Sequence, residues 1–227
     1  MEERTAEKAG ERMADRTTER AGEKTTATRG DREPCIRCSE PLFLFPTEAE
    51  AEPFRRLCPD AQTAVSGVGV VETAVNISRF LQAGYRNLVL AGIAGAYGDR
   101  FRKGDVVAVR EERLAGMPAL YARSYCPTEV RRGSGGGSGF REVSGGAELP
   151  QAVSNTVTAC GAPSDGADIE NMEGAVFFAL CGEYGAASRE IRAVSNRVGE
   201  PRGEWNAESA LRNLAETLNL LYEYEQD

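Results

Sequence analysis

The sequence predicts an α/β protein of three layers (α/β/α), with a central, mostly parallel mixed sheet and helices on both of its faces. Two observations predict it. Apolar runs of strand length alternate with segments whose apolar residues recur at helical spacing, the pattern of a parallel sheet covered on both sides. The alternation is confined to residues 34–227, enough chain for one compact core that buries roughly 70% of the unfolded surface.

Residues 1–33 stand apart, with nine acidic and eight basic residues but no Leu, Ile, Val, Phe, Tyr or Trp. They cannot build a core. An acid-base pair recurs every four residues, from Glu3-Arg4 to Glu23-Lys24, which stacks like charges at i,i+4. The Thr and Gly between them are poor helix formers. The sequence thus predicts a disordered charged tail over 1–33, with an interaction tail as the functional alternative, and a folded domain over 34–227.

From Pro41 the elements follow in order. "PLFLF" (41–45) is a buried strand, and Val71, Ala74, Val75, Ser78 and Leu81 recur at helical spacing. "NLVLAGIAGAYG" (87–98) is an apolar strand running into glycines, and "DVVAV" (105–109) is another strand. The periodic signal then weakens through a glycine-serine loop at 131–140. "AVSNTVTAC" (152–160) restores a strand, followed by a helix over 173–184 and the strand "EIRAVSN" (190–196). A last helix presents Ala207, Leu211, Leu214, Leu218 and Leu221 on one face.

Composition narrows the function. Residues 34–227 hold 26 acidic and 19 basic residues, a net charge of −7, which argues against nucleic acid or an anionic membrane as the main partner. No run approaches the ~18 apolar residues of a membrane helix, and the charged N-terminus lacks the apolar centre of a secretory signal. A cytoplasmic protein is expected, with its six cysteines as free thiols. The absence of histidine excludes Ser-His and Cys-His pairs and a His-ligated zinc. "CIRC" (35–38) has the spacing of half a zinc site or a redox pair, but no second CxxC exists. "GVGVVE" (67–72) and "GIAGAYG" (92–98) are neither GxGxxG nor Walker loops, and read equally as packing turns or ligand contacts.

In parallel sheets ligands bind beyond the carboxyl ends of strands. Three loops qualify: the one after 41–45 with Glu48 and Glu50, the one after 87–91 with Gly92 and Gly95, and the one after 190–195 with Asn196. Glu173 lies between Met172 and an apolar run, where an ionised carboxylate needs an internal donor, a ligand, or a role as a capped residue at a helix start. Two carboxylates, Arg192 and an amide could together serve cleavage of a glycosidic bond by water, with sugar hydroxyls as donors to Glu173.

The segments "ENMEGAVFFAL" (170–180), "IRAVSNRVGEPRGEWN" (191–206), "GVGVVETAVNISRFL" (67–81) and "AGIAGAYGDRFRKGDVVAV" (91–109) carry a family resemblance. They resemble the nucleoside phosphorylase and nucleosidase superfamily, and within it the futalosine hydrolase family of menaquinone biosynthesis. The resemblance implies a nucleoside phosphorylase-like fold, a small purine nucleoside as partner, and a homo-oligomer. It also implies hydrolysis of futalosine to hypoxanthine and dehypoxanthine futalosine, without cofactor or metal. By motif position, Glu173 resembles the family glutamate that grips the ribose hydroxyls, with Met172 under the sugar. Glu50 resembles the carboxylate that positions water, with Glu48 two residues away as the other register, and Arg192 the arginine beside that water. Asn196 stands where adenine-directed nucleosidases carry an aspartate, and its amide suits a 6-oxopurine. Ala94 and Gly95 would bring backbone close to the base. The chain departs from the family in "GAPSDGA" (161–167), where relatives carry a helix, and in the glycine-serine loop. A nucleosidase or phosphorylase on another purine nucleoside, and a non-catalytic relative, are the alternatives.

Removing residues 1–33 is expected to change the thermal midpoint little, because no core contact is lost. Thermal unfolding of the full and truncated chains checks this, and a large drop on truncation would show that the tail docks.

Overall fold

The structure is a computed structural model that describes residues 40–116, 131–132 and 149–226. The charged tail, the Cys35 and Cys38 pair and most of the glycine-serine segment lie outside the described residues. The described strands are β1 (Leu42–Phe45), β2 (Thr63–Val65), β3 (Asn87–Ala96), β4 (Val106–Leu114), β5 (Arg131–Arg132), β6 (Gln151–Thr156), β7 (Ile169–Asn171) and β8 (Ala187–Arg197). The helices are α1 (Glu48–Leu57), α2 (Gly69–Gln82), α3 (Gly174–Glu183) and α4 (Ala207–Gln226), with a 3-10 turn at Arg202–Glu204.

The predicted mixed, mostly parallel sheet is present: five of its eight described strand pairings are parallel. β2, β1, β3 and β8 lie side by side in parallel, and β8 then pairs antiparallel with β4. β4, β6 and β7 are parallel in turn, and β7 returns to β3 at Gly95↔Glu170 and Ala96↔Ile169. The strands β3, β8, β4, β6 and β7 therefore close a ring, which the sequence reading did not anticipate. Closure depends on the length of β3. Its first half pairs with β1 through Leu88–Leu90, and the same edge farther on is left for β7. Register shifts between Ala94 and Gly95 and between Val109 and Glu111 add the local twist that curls the sheet.

Helices cover the sheet from both sides. On one face, Ile77 and Leu81 of α2 and Phe177, Phe178 and Cys181 of α3 pack on Leu42, Leu44, Leu88 and Leu90. On the other, Ala51 and Phe54 of α1 and Ala210, Leu214 and Leu218 of α4 pack on Phe43, Phe45, Val89 and Ile191. Successive residues of β1 and β3 thus serve opposite cores, which is why both strands read as unbroken apolar runs. Phe54 sits with its ring centroid 4.7 Å from Phe43 and 5.8 Å from Phe45. No helix among the described residues is long and apolar enough to cross a membrane.

Several boundaries differ from the sequence reading. The segment read as a loop carrying Glu48 and Glu50 is α1, capped where Thr47 Oγ1 accepts from Glu50 N at 3.2 Å. Its acidic residues and internal Pro53 mask the helical pattern. β4 runs on to Leu114, β6 stops at Thr156, and β8 spans Ala187–Arg197.

The turn from β2 into α2 sets the direction of that helix. Gly67 has φ of 85°, and a Cβ added there would meet Glu72 Cβ at 2.5 Å. Its carbonyl accepts from Thr73 Oγ1 at 3.1 Å, while Glu72 Oε2 accepts from Val68 N at 3.1 Å. Gly67→Ala is therefore expected to destabilise the fold by about 1–3 kcal/mol, the cost of a residue held in a sparsely populated backbone region. A chemical-denaturation midpoint equal to the parent's would show that the turn relaxes without cost.

Candidate active site

The carboxyl ends of β1, β3 and β8 converge with the start of α2 and the β7–α3 junction around one cavity of about 350 Å³. Glu50, Glu173, Arg192 and Asn196 line it, and so do Met172, Ala94 and Gly95. Glu48 does not: it pairs with Arg55 on the exposed side of α1. A two-residue step along a helix turns the side chain by about 200°, so only one of the two glutamates can face the cavity.

Glu173 is buried and held from two directions. Its Oε1 accepts from the backbone N–H of Gly69 at the start of α2 (2.9 Å), a position where a helix favours negative charge. Its Oε2 accepts from Arg192 Nη2 at 3.2 Å and from Met172 N at 3.4 Å. The alternative of a glutamate capping the following helix is not what forms. Asn171 Oδ1 does the capping, accepting from the N–H groups of Glu173 and Gly174 at 2.8 Å each. This releases the Glu173 side chain toward the cavity. Asn171 was missed in the sequence, although an Asn just ahead of an apolar helical run is the signal of such a cap.

Glu50 reaches the site from α1. Its Oε2 accepts from Thr47 Oγ1 at 2.8 Å and its Oε1 from Ile93 N at 3.2 Å. Burial raises its carboxyl above the ordinary value, against the lowering effect of those two hydrogen bonds and of Arg192. Gly92 makes the meeting with Arg192 sterically feasible. A Cβ there would lie 2.8 Å from Arg192 Nη1 and 3.0 Å from Glu50 Oε1. The two functional groups occupy the space that any other residue would fill.

Arg192 is the hub of the cluster. It is 1% exposed, its Nε donates to Glu190 Oε1 at 2.8 Å, and its Nη2 donates to Asn171 Oδ1 at 3.1 Å as well as to Glu173. Burial disfavours its charge, but the carboxylates of Glu190 and Glu173 outweigh burial and hold the guanidinium above its ordinary pKa.

On another wall of the cavity, Asn196 Oδ1 accepts from Ser195 Oγ at 2.8 Å and its Nδ2 donates to Arg197 O at 2.9 Å. One N–H and one acceptor position of the amide remain for a ligand. Gly95 lets it approach, since a Cβ there would meet Asn196 Nδ2 at 3.1 Å. The short 161–167 segment is folded into place: Asn155 Nδ2 donates to Pro163 O and Ser164 O at 3.2 and 2.9 Å. Glu170, also unread in the sequence, lines the cavity and accepts from Gly161 N at 2.9 Å and Tyr97 Oη at 2.8 Å. Arg202 and Trp205 form a further wall, with the guanidinium 5.7 Å from the ring centroid.

No protein-family model matches the chain. The futalosine hydrolase of Thermus thermophilus is 29% identical over 216 residues, covering 79% of this chain and 94% of that protein. A mutant futalosine hydrolase of Helicobacter pylori strain 26695 superposes with a TM-score of 0.72 at 15% identity, over 82% of this chain and 99% of that one. The 5′-methylthioadenosine/S-adenosylhomocysteine nucleosidase of Helicobacter pylori, solved with butyl-thio-DADMe-Immucillin-A, gives 0.72 at 14% identity, over 82% and 98%. The chain has the fold of the futalosine hydrolases and methylthioadenosine nucleosidases, the superfamily that its sequence motifs resemble.

Proposed function

We propose that the protein is an N-glycosyl hydrolase that cleaves the N-ribosidic bond of futalosine, releasing hypoxanthine and dehypoxanthine futalosine. The observation that carries this reading is the meeting of Glu50 and Arg192 at Gly92, with Glu173 bonded to Arg192 and the Asn196 amide on the wall of the same cavity. The similarity to a futalosine hydrolase over most of both chains supports the choice of substrate.

Breaking the bond leaves positive charge on the ribosyl ring. Glu173 accepts hydrogen bonds from the ribose hydroxyls and stabilises that charge as it develops, while Met172 packs under the sugar. Glu50 orients a water molecule toward C1′. The water oxygen bonds to C1′ as the C1′–N9 bond breaks, its surplus proton passes to Glu50, and the departing purine takes up a proton from solvent. Burial makes Glu50 a readier proton acceptor than an exposed carboxylate. Asn196 can donate to O6 and accept from N1–H of hypoxanthine, whereas adenine presents an amino group and a bare N1. Ala94 and Gly95 keep the backbone close to the base.

The expected homo-oligomer and cytoplasmic location belong to the same proposal. Val68 on the cavity wall continues into the exposed Val71 and Val75 of α2, an apolar stripe suited to a second copy. The assay that tests the function incubates the protein with futalosine, inosine and methylthioadenosine, with and without phosphate, and reads free base. Hypoxanthine from futalosine alone, independent of phosphate, supports the proposal. Release from another nucleoside selects a different purine nucleosidase or phosphorylase, and no release selects a binding protein.

Two variants probe the residues. Glu173→Gln is expected to lower turnover by roughly two to three orders of magnitude, the scale of losing a positioned transition-state contact. Full activity would leave Glu173 a structural partner of Arg192. Asn196→Asp places a carboxylate against O6 and is expected to cost about 10- to 1,000-fold in kcat/KM on futalosine. The ratio of kcat/KM for futalosine and aminofutalosine is the measurement, and a ratio equal to the parent's would mean that Asn196 does not read the base.

A further inference from the structure

Behind Arg192, outside the cavity lining, Glu112 of β4 and Glu190 of β8 come together against Gly174. Glu112 and Glu190 are both 0% exposed. Glu112 Oε2 accepts from Thr156 Oγ1 at 2.6 Å, and its Oε1 accepts from Asn171 Nδ2. Glu190 Oε1 accepts from Arg192 Nε at 2.8 Å, but no donor among the described residues reaches Glu190 Oε2. What lies beside it is the carboxyl of Glu112. Gly174, at the start of α3, is pressed against both: a Cβ there would lie 2.4 Å from Glu190 Oε2 and 2.5 Å from Glu112 Oε1. Two fully buried carboxyl oxygens that converge, with the neighbouring donors committed elsewhere, need a proton between them.

We propose that Glu112 and Glu190 share one proton, carried on Glu112 and donated to Glu190 Oε2, and that Glu190 is a positioning residue that fixes Arg192 against Glu50 and Glu173. The positioning half rests on the nucleosidase reading, and the shared proton does not.

The assignment of the proton follows from what surrounds each group. Glu112 on β4 faces Thr156 and Ser154 of β6, Asn171 of β7 and Glu190 of β8. Burial and the charge of Glu190 push its carboxyl well above the ordinary range. Burial raises Glu190 too, but Arg192 beside it pulls it back, while Glu173 across the guanidinium pushes the other way. The charged groups facing the pair are thus Arg192 and Glu173, and Arg192 favours ionised Glu190. With Glu112 neutral, the guanidinium is buried with the carboxylates of Glu190 and Glu173 on two of its sides, and Glu50 reaches it from the cavity. Glu190 grips Nε, the atom nearest the backbone, so it controls the plane in which both Nη groups are presented.

The sign of the pH effect is fixed by a raised folded-state pKa. The proton on Glu112 favours the fold below the ordinary carboxylate pKa, and that contribution is lost as pH rises toward the folded value. Glu190 and Glu50 shift in the same direction, so the test is a difference between two chains. In the full-length Glu112→Gln variant an amide N–H replaces the shared proton and cannot titrate. Across the window above the ordinary carboxylate pKa, the folding equilibrium constant of the parent is expected to fall about tenfold per pH unit relative to that variant. Parallel pH dependences would overturn the shared proton. Should the variant not fold, infrared spectra of the parent with 13C-labelled glutamate at neutral pH must show the carbonyl stretch of a protonated carboxyl, and its absence overturns the proposal equally.

Glu190→Gln tests the positioning half. Its amide oxygen still accepts from Nε but carries no charge. The variant is expected to lose about tenfold in kcat on futalosine, with KM within about threefold, the pattern of a contact felt in the transition state. In NMR spectra, exchange of the Arg192 Nε–H with solvent is expected to quicken by about tenfold or more as the pairing loosens. Unchanged kcat in an active enzyme, or unchanged exchange, overturns the positioning role. If the parent itself releases no base, the functional reading fails, and the exchange and proton measurements still decide this proposal.

Discussion

The structure depends on the burial of one guanidinium. Arg192 lies in the middle of β8, the strand shared by β3 and β4, and is almost completely buried. An unpaired charge there would be costly, and removing one partner of such a cluster typically costs about 3–5 kcal/mol. The fold supplies partners from every direction: Glu190 from the same strand, Glu173 and Asn171 from the β7–α3 junction, and Glu50 across Gly92. The closed ring of strands is what makes this feasible. Only because β7 returns to β3 can the segment from Asn171 to Glu173 stand over Arg192.

Much of this architecture was legible in the sequence, and the reason is physical. β1 and β3 are covered on both faces, so nearly every residue is apolar or small and the strands announce themselves. α2 and α4 carry clear stripes. What escaped notice was structure whose signal is weak by nature. β7 has three residues, two of them polar, and it pairs with a strand far away along the chain. α1 is acidic and contains a proline, and only Thr47 marks its start. Ring closure is a property of register and strand length, which no local pattern encodes.

The candidate site divides in the same way. Glu173, Arg192, Asn196 and Met172 could be named because they sit in dense motifs, and Ala94 and Gly95 because glycines interrupt an apolar strand. Glu50 and Glu48 could not be separated without knowing that they lie on a helix, where the step between them decides which one faces inward. Gly92 could be recognised as a turn or contact glycine, but not as the space shared by Arg192 and Glu50. Glu112 lies beyond the strand read over 105–109 and Glu190 opens the strand read over 190–196, and neither stands out because the partner that makes sense of each lies on another strand.

Glu173 shows how a buried carboxylate can be satisfied by the fold and still face a cavity. A carboxylate oxygen has two acceptor positions. In Glu173 the Gly69 N–H takes one position of Oε1, and Arg192 takes one position of Oε2 with Met172 N at longer range. These donors come from the protein itself and stabilise the carboxylate, so the fold does not depend on a ligand to satisfy it. They also leave acceptor capacity directed at the cavity. Sugar hydroxyls would therefore add to an existing set of bonds instead of replacing it, and binding would require no rearrangement of the Arg192 cluster. The helix start at Gly69 and the buried arginine hold the charge in position, which is the form of preorganisation that electrostatic catalysis requires.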